Sequence, residues 1–259
     1  MTYQWITYAA ADRKAVITLN RPDKRNALNA DMVTELKDAF QQAKTDDTVK
    51  VIILKGEGKA FSAGADLAYL QQLQDNTYEE NLADSRHLME LFQLIYTHPK
   101  VVIAQVEGHA IAGGCGLATV CDFVFAVPEA MFGYSEVRIG FVPAIVSLFL
   151  IRKVGEAKAK QLLLTGHRVT AVQAETMGLV NYLESPVSMA EKVHAFADKL
   201  IRQCSGDALA LTKSLIANVQ HLSINDGLAY AAEVNAEARA TADCKKGIAS
   251  FLNKEEIGW

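Results

Sequence analysis

Several functional classes are argued against by what this 259-residue sequence lacks. Its four cysteines, Cys115, Cys121, Cys204 and Cys244, have none of the short paired spacings of a zinc site, and its six histidines form no i, i+4 pair. No metal centre is expected. The most apolar stretch, Ile139 to Ile151, is interrupted by Gly140 and Pro143 and falls short of the roughly 20 residues that cross a bilayer. The start Met1-Thr2-Tyr3-Gln4 has neither the basic region nor the apolar core of an export signal, so a reduced, cytoplasmic protein away from membranes is expected. A formal net charge of -4, with scattered lysines and arginines, supplies no basic field for nucleic acid. No Pro/Ser/Gly-rich linker marks off independently tethered domains.

What is present is apolar and periodic. Half of the residues are hydrophobic, enough for one large core. Ala15 to Leu19 reads as a strand ending at the turn Asn20-Arg21-Pro22-Asp23, and a helix follows, capped by Asn29 or Asp31, with Met32, Leu36, Ala39, Phe40 and Ala43 on one face. The alternation continues through a strand at Val49 to Leu54, a helix at Tyr78 to Tyr96, a strand at Val101 to Val106, a helix opening at Gly113 and a strand at Phe123 to Ala126. From Thr170 onward the pattern is helical: Thr170 with Gln173 and Ser188 with Glu191 have capping-box spacing, and Val193, Ala197, Leu200, Ile201 and Cys204 share a face. This predicts an α/β core over residues 1–195 and a helical region over 196–259, packed on the core or on a neighbouring subunit.

Two glycine clusters carry the chemistry. The run Val101-Val102-Ile103 feeds Gly108 and then Gly113-Gly114-Cys115-Gly116-Leu117, and the run Val51-Ile52-Ile53-Leu54 leads through Gly56 and Gly58 to Phe61-Ser62-Ala63-Gly64-Ala65-Asp66-Leu67. Glycines allow close backbone approach, and the first turn of a helix leaves amides free, so each cluster can offer N–H groups to a developing negative charge. A dinucleotide fingerprint fails at Thr119, where its third glycine belongs. A nucleophile elbow around Ser62 fails at Ala60, which makes Ser62 a turn residue. Packing alone accounts for one cluster and leaves the other a coincidence. Glu136 lies in the apolar, glycine-punctuated stretch Phe132 to Pro143, where burial would raise its pKa and suit it to proton transfer.

At these sites the chain resembles the enoyl-CoA hydratase/isomerase, or crotonase, superfamily. The resemblance runs through Arg21-Pro22, Asn26-Ala27-Leu28-Asn29, Ala60 to Leu67, the Gly113 turn, Cys121-Asp122, Phe132 to Pro143, Leu163-Leu164-Thr165-Gly166, Gly178-Leu179-Val180 and Gly247 to Leu252. It implies a spiral of β-β-α units with a helical C-terminal oligomerisation region, assembled as a homotrimer or a dimer of trimers. It implies backbone amides of Ala65 and Gly113 that hold the thioester oxygen of an acyl-CoA, and Ala63 and the segment Ala65-Asp66-Leu67-Ala68 along the coenzyme A slot. Lys24 and Arg25 would meet the coenzyme phosphates, with Lys254 a further candidate toward a neighbour's ligand. No separate cofactor is implied, since coenzyme A is part of the substrate.

Of the two glutamates usual in hydratases of this family, the second matches Glu136 and the first falls on Gly116. A single acid suits hydration, double-bond isomerisation or decarboxylation of methylglutaconyl thioesters. In motif detail the chain is most similar to bacterial methylglutaconyl-CoA hydratases, which implies a substrate with a distal carboxylate and makes Arg86 and Arg138 candidate partners for it. The resemblance also leaves open a non-catalytic member of the fold that binds acyl-CoA or RNA.

Overall fold

The computed structural model describes residues 2–259, apart from the side chain of Leu67. The chain opens with the antiparallel hairpin β1 (Ile6–Ala11) and β2 (Lys14–Leu19), turned at Asp12 and Arg13, which both take left-handed backbone. Helix α1 (Ala30–Thr45) starts at Asn29, whose Oδ1 accepts the Met32 amide at 3.0 Å. Asn29 is therefore the cap, and Asp31 lies in the first turn. The core then winds through β3 (Val51–Gly56), β4 (Ala60–Ser62), α2 (Leu67–Gln72), α3 (Tyr78–Tyr96), β5 (Val101–Val106), β6 (His109–Ile111), α4 (Gly113–Val120), β7 (Phe123–Ala126) and β8 (Met131–Gly133). After a 3-10 turn at Glu136–Ile139 come α5 (Ala144–Val154), α6 (Glu156–Thr165), β9 (Arg168–Thr170), α7 (Ala171–Met177) and β10 (Tyr182–Leu183). Four helices complete the chain: α8 (Met189–Gln203), α9 (Gly206–Val219), α10 (Ile224–Ala240) and α11 (Ala242–Asn253).

Successive turns of the chain each give one strand to each of two sheets. The larger has the order β1-β2-β3-β5-β7-β10 and the smaller β4-β6-β8-β9. Strands β2, β3, β5, β7 and β10 run parallel, as do β4, β6 and β8. The repeating unit is thus strand, strand, helix, and the molecule is a mixed α/β spiral. β5 is buried at every position, the pattern of a parallel strand covered on both faces.

The division expected at 195/196 falls inside α8. That helix lies across β3, β5 and β7 and buries Met189, Val193, Ala197 and Ile201, so it belongs to the core, and the helical end begins beyond Gln203. The expected capping box at Ser188 is also absent: Ser188 has helical backbone, and its hydroxyl meets Glu184 and Ser185 instead. Thr170 and Gln173 do form the reciprocal box, and Thr77 with Glu80 form a second one at the start of α3.

Candidate active site

Three parallel neighbours in the small sheet, β4, β6 and β8, end side by side. Ligands bind at the carboxyl ends of parallel strands because the turns there can present free backbone and side chains together. β4 ends in Ala63-Gly64-Ala65, β6 in Ala112-Gly113, and β8 in Tyr134-Ser135-Glu136. Both glycine clusters and the acid found in the sequence therefore converge on one edge.

The first turn is fixed from behind. The Leu28 amide donates to the Gly64 carbonyl at 2.7 Å and the Asp66 amide to the Leu28 carbonyl at 2.8 Å, making a parallel bridge between Leu28 and Ala65. In that geometry the amide of Ala65 points away from Leu28, and it has no hydrogen-bond partner among the described residues. Ser62 is the last residue of β4 rather than a turn residue; it is buried, and its hydroxyl donates to the Asn26 carbonyl at 2.8 Å, which gives it a structural role. Asn26, wholly buried, holds the same corner by accepting from the Arg21 amide and donating to the Glu57 and Ala60 carbonyls.

The second turn is strained. Ala112 sits at φ 50°, ψ -125°, a region that favours glycine, and its amide donates to the Gly133 carbonyl at 2.7 Å. No side chain caps α4, so the amide of Gly113 at its first turn is also unpartnered among the described residues, where the helix dipole adds to its positive end. Ala112 had no signal in the sequence, because alanine gives no hint of a left-handed conformation.

Close packing holds the two turns together. A Cβ on Gly64 would stand 2.8 Å from the Ala112 Cβ and 3.3 Å from the Gly113 nitrogen, and one on Gly114 would stand 2.4 Å from the Ser62 carbonyl oxygen. The absence of side chains at these two positions lets the free amides of Ala65 and Gly113 share a single small region.

Glu136 follows from β8. One of its carboxylate oxygens, Oε2, is buried without a hydrogen-bond partner among the described residues. Desolvation by burial raises its pKa above the ordinary value of 4.5. Buried polar atoms are nearly always paired, and an orphaned carboxylate oxygen is the kind of exception that reactive groups make. Its charge is felt by the buried Cys115 thiol, which desolvation pushes up to about 11, and by the Tyr134 phenol. At position 116 there is no room for a second acid: a Cβ there would stand 2.5 Å from Val146 Cγ1 and 2.8 Å from Phe92 Cε2. Neither infilling residue was identifiable from the sequence, since both come from distant helices.

The residues expected along the coenzyme slot have mixed placements. Lys24 and Arg25 are exposed on the 3-10 turn at Pro22–Lys24, and the Arg25 carbonyl accepts the Ala63 amide at 2.9 Å, which ties this basic corner to the first turn. Ala65 and Ala68 are exposed and Ala63 is half-buried. The side chain of Leu67 lies outside the described residues. Asp66 is buried and already committed: its carboxylate pairs with Arg21 Nη2 at 2.8 Å and caps α2 through the Ala68 amide at 2.9 Å, so it shapes the turn. Arg86, Arg138 and Lys254 are exposed, with Lys254 just beyond α11. No helix of the described residues is long and apolar enough to cross a membrane.

The same architecture occurs in known proteins. Residues 12–259 match the model of the family described as enoyl-CoA hydratase/isomerase. A Thermus thermophilus relative, an enoyl-CoA hydratase by provisional name, is 45% identical over 240 residues, covering 93% of this chain and 94% of its own. The crotonyl-CoA hydratase of Syntrophomonas wolfei is 35% identical over 261 residues, covering 100% and 99%. The crystal structure of an enoyl-CoA hydratase from Mycobacterium smegmatis superimposes with a TM-score of 0.92 at 29% identity, covering 99% of each chain. With a family match over nearly its whole length and relatives of this kind along the entire fold, the chain belongs to the enoyl-CoA hydratase/isomerase family and is an enzyme of it.

Proposed function

We propose that the protein adds water across the double bond of an α,β-unsaturated acyl-CoA, with 3-methylglutaconyl-CoA as its substrate. The observation that carries this reading is the pair of unpartnered amides, Ala65 and Gly113, on turns packed against one another, with an acid that has an orphaned oxygen following the adjacent strand at the same sheet edge. A thioester oxygen accepting from both amides gains most when it becomes an enolate oxygen, since preorganised donors act most strongly on charge that develops during the reaction. Glu136 takes a proton from water as the oxygen attacks the β-carbon, then returns a proton to the α-carbon. With no acid at position 116, one carboxyl performs both transfers, and the two additions occur on the same face. Lys24 and Arg25 meet the coenzyme phosphates, while Ala63 and the segment from Ala65 to Ala68 line the slot.

A lone acid also favours a second reading, in which Glu136 shuttles a proton between carbons or supports decarboxylation. The relatives frame the choice of acyl group: one is a crotonyl-CoA hydratase and another, from Escherichia coli, is a 2,3-dehydroadipyl-CoA hydratase, whose name specifies a diacid thioester. A distal carboxylate on this enzyme's substrate would pair with Arg86 or Arg138.

Purified protein is expected to bleach the conjugated-enoyl absorbance of 3-methylglutaconyl-CoA faster than that of crotonyl-CoA, and to place one solvent oxygen in the product when run in ¹⁸O-labelled water. Faster turnover of crotonyl-CoA removes the substrate assignment. Turnover without ¹⁸O incorporation removes hydration in favour of the second reading.

The helical end supports assembly into a homotrimer or a dimer of trimers. α10 buries only Val234 and α11 buries nothing in the chain itself, while Ile224, Leu228, Phe251 and Leu252 are exposed. Light scattering should give three or six times the 28.2 kDa chain mass, and a monomer at micromolar concentration would contradict this.

A further inference from the structure

Among the described residues Tyr134 has the largest fully buried side chain, and it lies two residues before Glu136. A wholly buried hydroxyl is costly unless bonded, so a phenylalanine would fill this space more cheaply if packing were its only purpose. The hydroxyl is 2.6 Å from Thr119 Oγ1, on α4, and the Thr119 hydroxyl donates to the Cys115 carbonyl at 2.8 Å. Because the single Thr119 proton is used there, the Tyr134 hydroxyl is the donor between the two.

Backbone bonds close the turn that carries the acid, with the Ser135 carbonyl accepting the Arg138 amide at 3.1 Å and the Glu136 carbonyl accepting the Phe141 amide at 3.0 Å, but these bonds are internal to the turn and do not reach α4. The Gly133 carbonyl holds the Ala112 amide, but beyond it Ser135 makes no side-chain cap to the 3-10 turn that carries Glu136. The Tyr134–Thr119 bond is the side-chain link that joins the acid's own segment to α4, the helix whose first amide is that of Gly113.

We propose that Tyr134, through Thr119, is a positioning residue that fixes the Glu136 carboxyl relative to the Gly113 amide. This rests on the reading of Glu136 as the proton carrier. Small displacements of a reacting group lower the rate steeply, whereas binding of the coenzyme portion depends on other residues.

The experiment compares steady-state kinetics of Tyr134→Phe, Thr119→Val and Thr119→Ser on whichever of 3-methylglutaconyl-CoA and crotonyl-CoA the parent turns over faster, with Glu136→Gln alongside. Tyr134→Phe keeps the ring and removes the link, so kcat should fall about 10-fold or more while KM stays within a factor of about two. Thr119→Val should show the same split, and Thr119→Ser, which retains the hydroxyl, should recover most of kcat. Wild-type kcat in Tyr134→Phe, or equal losses in the valine and serine variants, overturns the proposal while leaving Glu136 in its role if Glu136→Gln is impaired. Wild-type turnover in Glu136→Gln overturns both. Should Tyr134→Phe fail to fold, the valine and serine pair decides.

Discussion

Glu136→Gln is expected to lower turnover by about 10²-fold or more while the protein keeps its fold and its affinity for acyl-CoA. Glutamine preserves the shape and polarity of the side chain but has no proton to lend, so the loss should fall on kcat and leave KM nearly unchanged. The variant should also be no less stable than the parent at neutral pH. Desolvation raises the folded-state pKa of Glu136 above 4.5, so over the interval between the unfolded and folded values the native state binds more protons than the unfolded one. Stability therefore declines as pH rises through that interval, and above it the buried charge is a standing cost. Glutamine removes that cost. The thermal midpoint of the variant should equal or exceed that of the parent at pH 7, and the difference should vanish well below pH 4.5, where the carboxyl is protonated in both states. Unchanged turnover, or a midpoint that drops at pH 7, would show that Glu136 is a structural group.

How much of this site was legible in the sequence follows from which interactions are local. Helix α1 was readable because Asn29 caps it and Met32, Leu36, Ala39, Phe40 and Ala43 repeat at helical spacing. The glycine clusters were readable because glycine is informative wherever it accumulates. Thr77 and Glu80 have capping-box spacing and make both bonds at the start of α3, while Ser188 and Glu191 have the same spacing without the bond. The reason is that Ser185 and Glu184 compete for the Ser188 hydroxyl. The three-residue strands β4, β6 and β8 are too short for a periodic pattern, although they set the site's geometry. Val146 and Phe92 around Gly116, the strain at Ala112 and the Tyr134–Thr119 link all depend on approaches between segments far apart in sequence. No local pattern encodes these approaches, so the residue types were visible and their partners were not.

Gly64→Ala should be as damaging as losing the acid, by a different route. Gly64 has φ +88°, and an added Cβ would press on the Ala112 Cβ at 2.8 Å and the Ile111 carbonyl oxygen at 2.9 Å. Both contacts lie on the backbone or next to it, so a side-chain rotation cannot relieve them. The turns must separate, and the amides of Ala65 and Gly113 then no longer aim at one oxygen. Losing one such donor typically lowers the rate by about 10²–10³-fold, and the loss should appear mainly in kcat because the enolate depends on the donors more than the ground-state thioester does. Positive φ by itself makes alanine unfavourable by about 1 kcal/mol, so a control is needed to separate strain from collapse of the site. Gly178 provides it: its φ is +86°, it follows α7, and an added Cβ would meet nothing within 4 Å. Gly178→Ala should lose a similar amount of stability to backbone strain and keep wild-type turnover. If both variants lose activity equally, strain spread through the fold is responsible and the contact between the two turns is not what aims the amides. If Gly64→Ala alone is inactive while it remains folded, that contact is what makes a pair of main-chain nitrogens into a single binding point for negative charge.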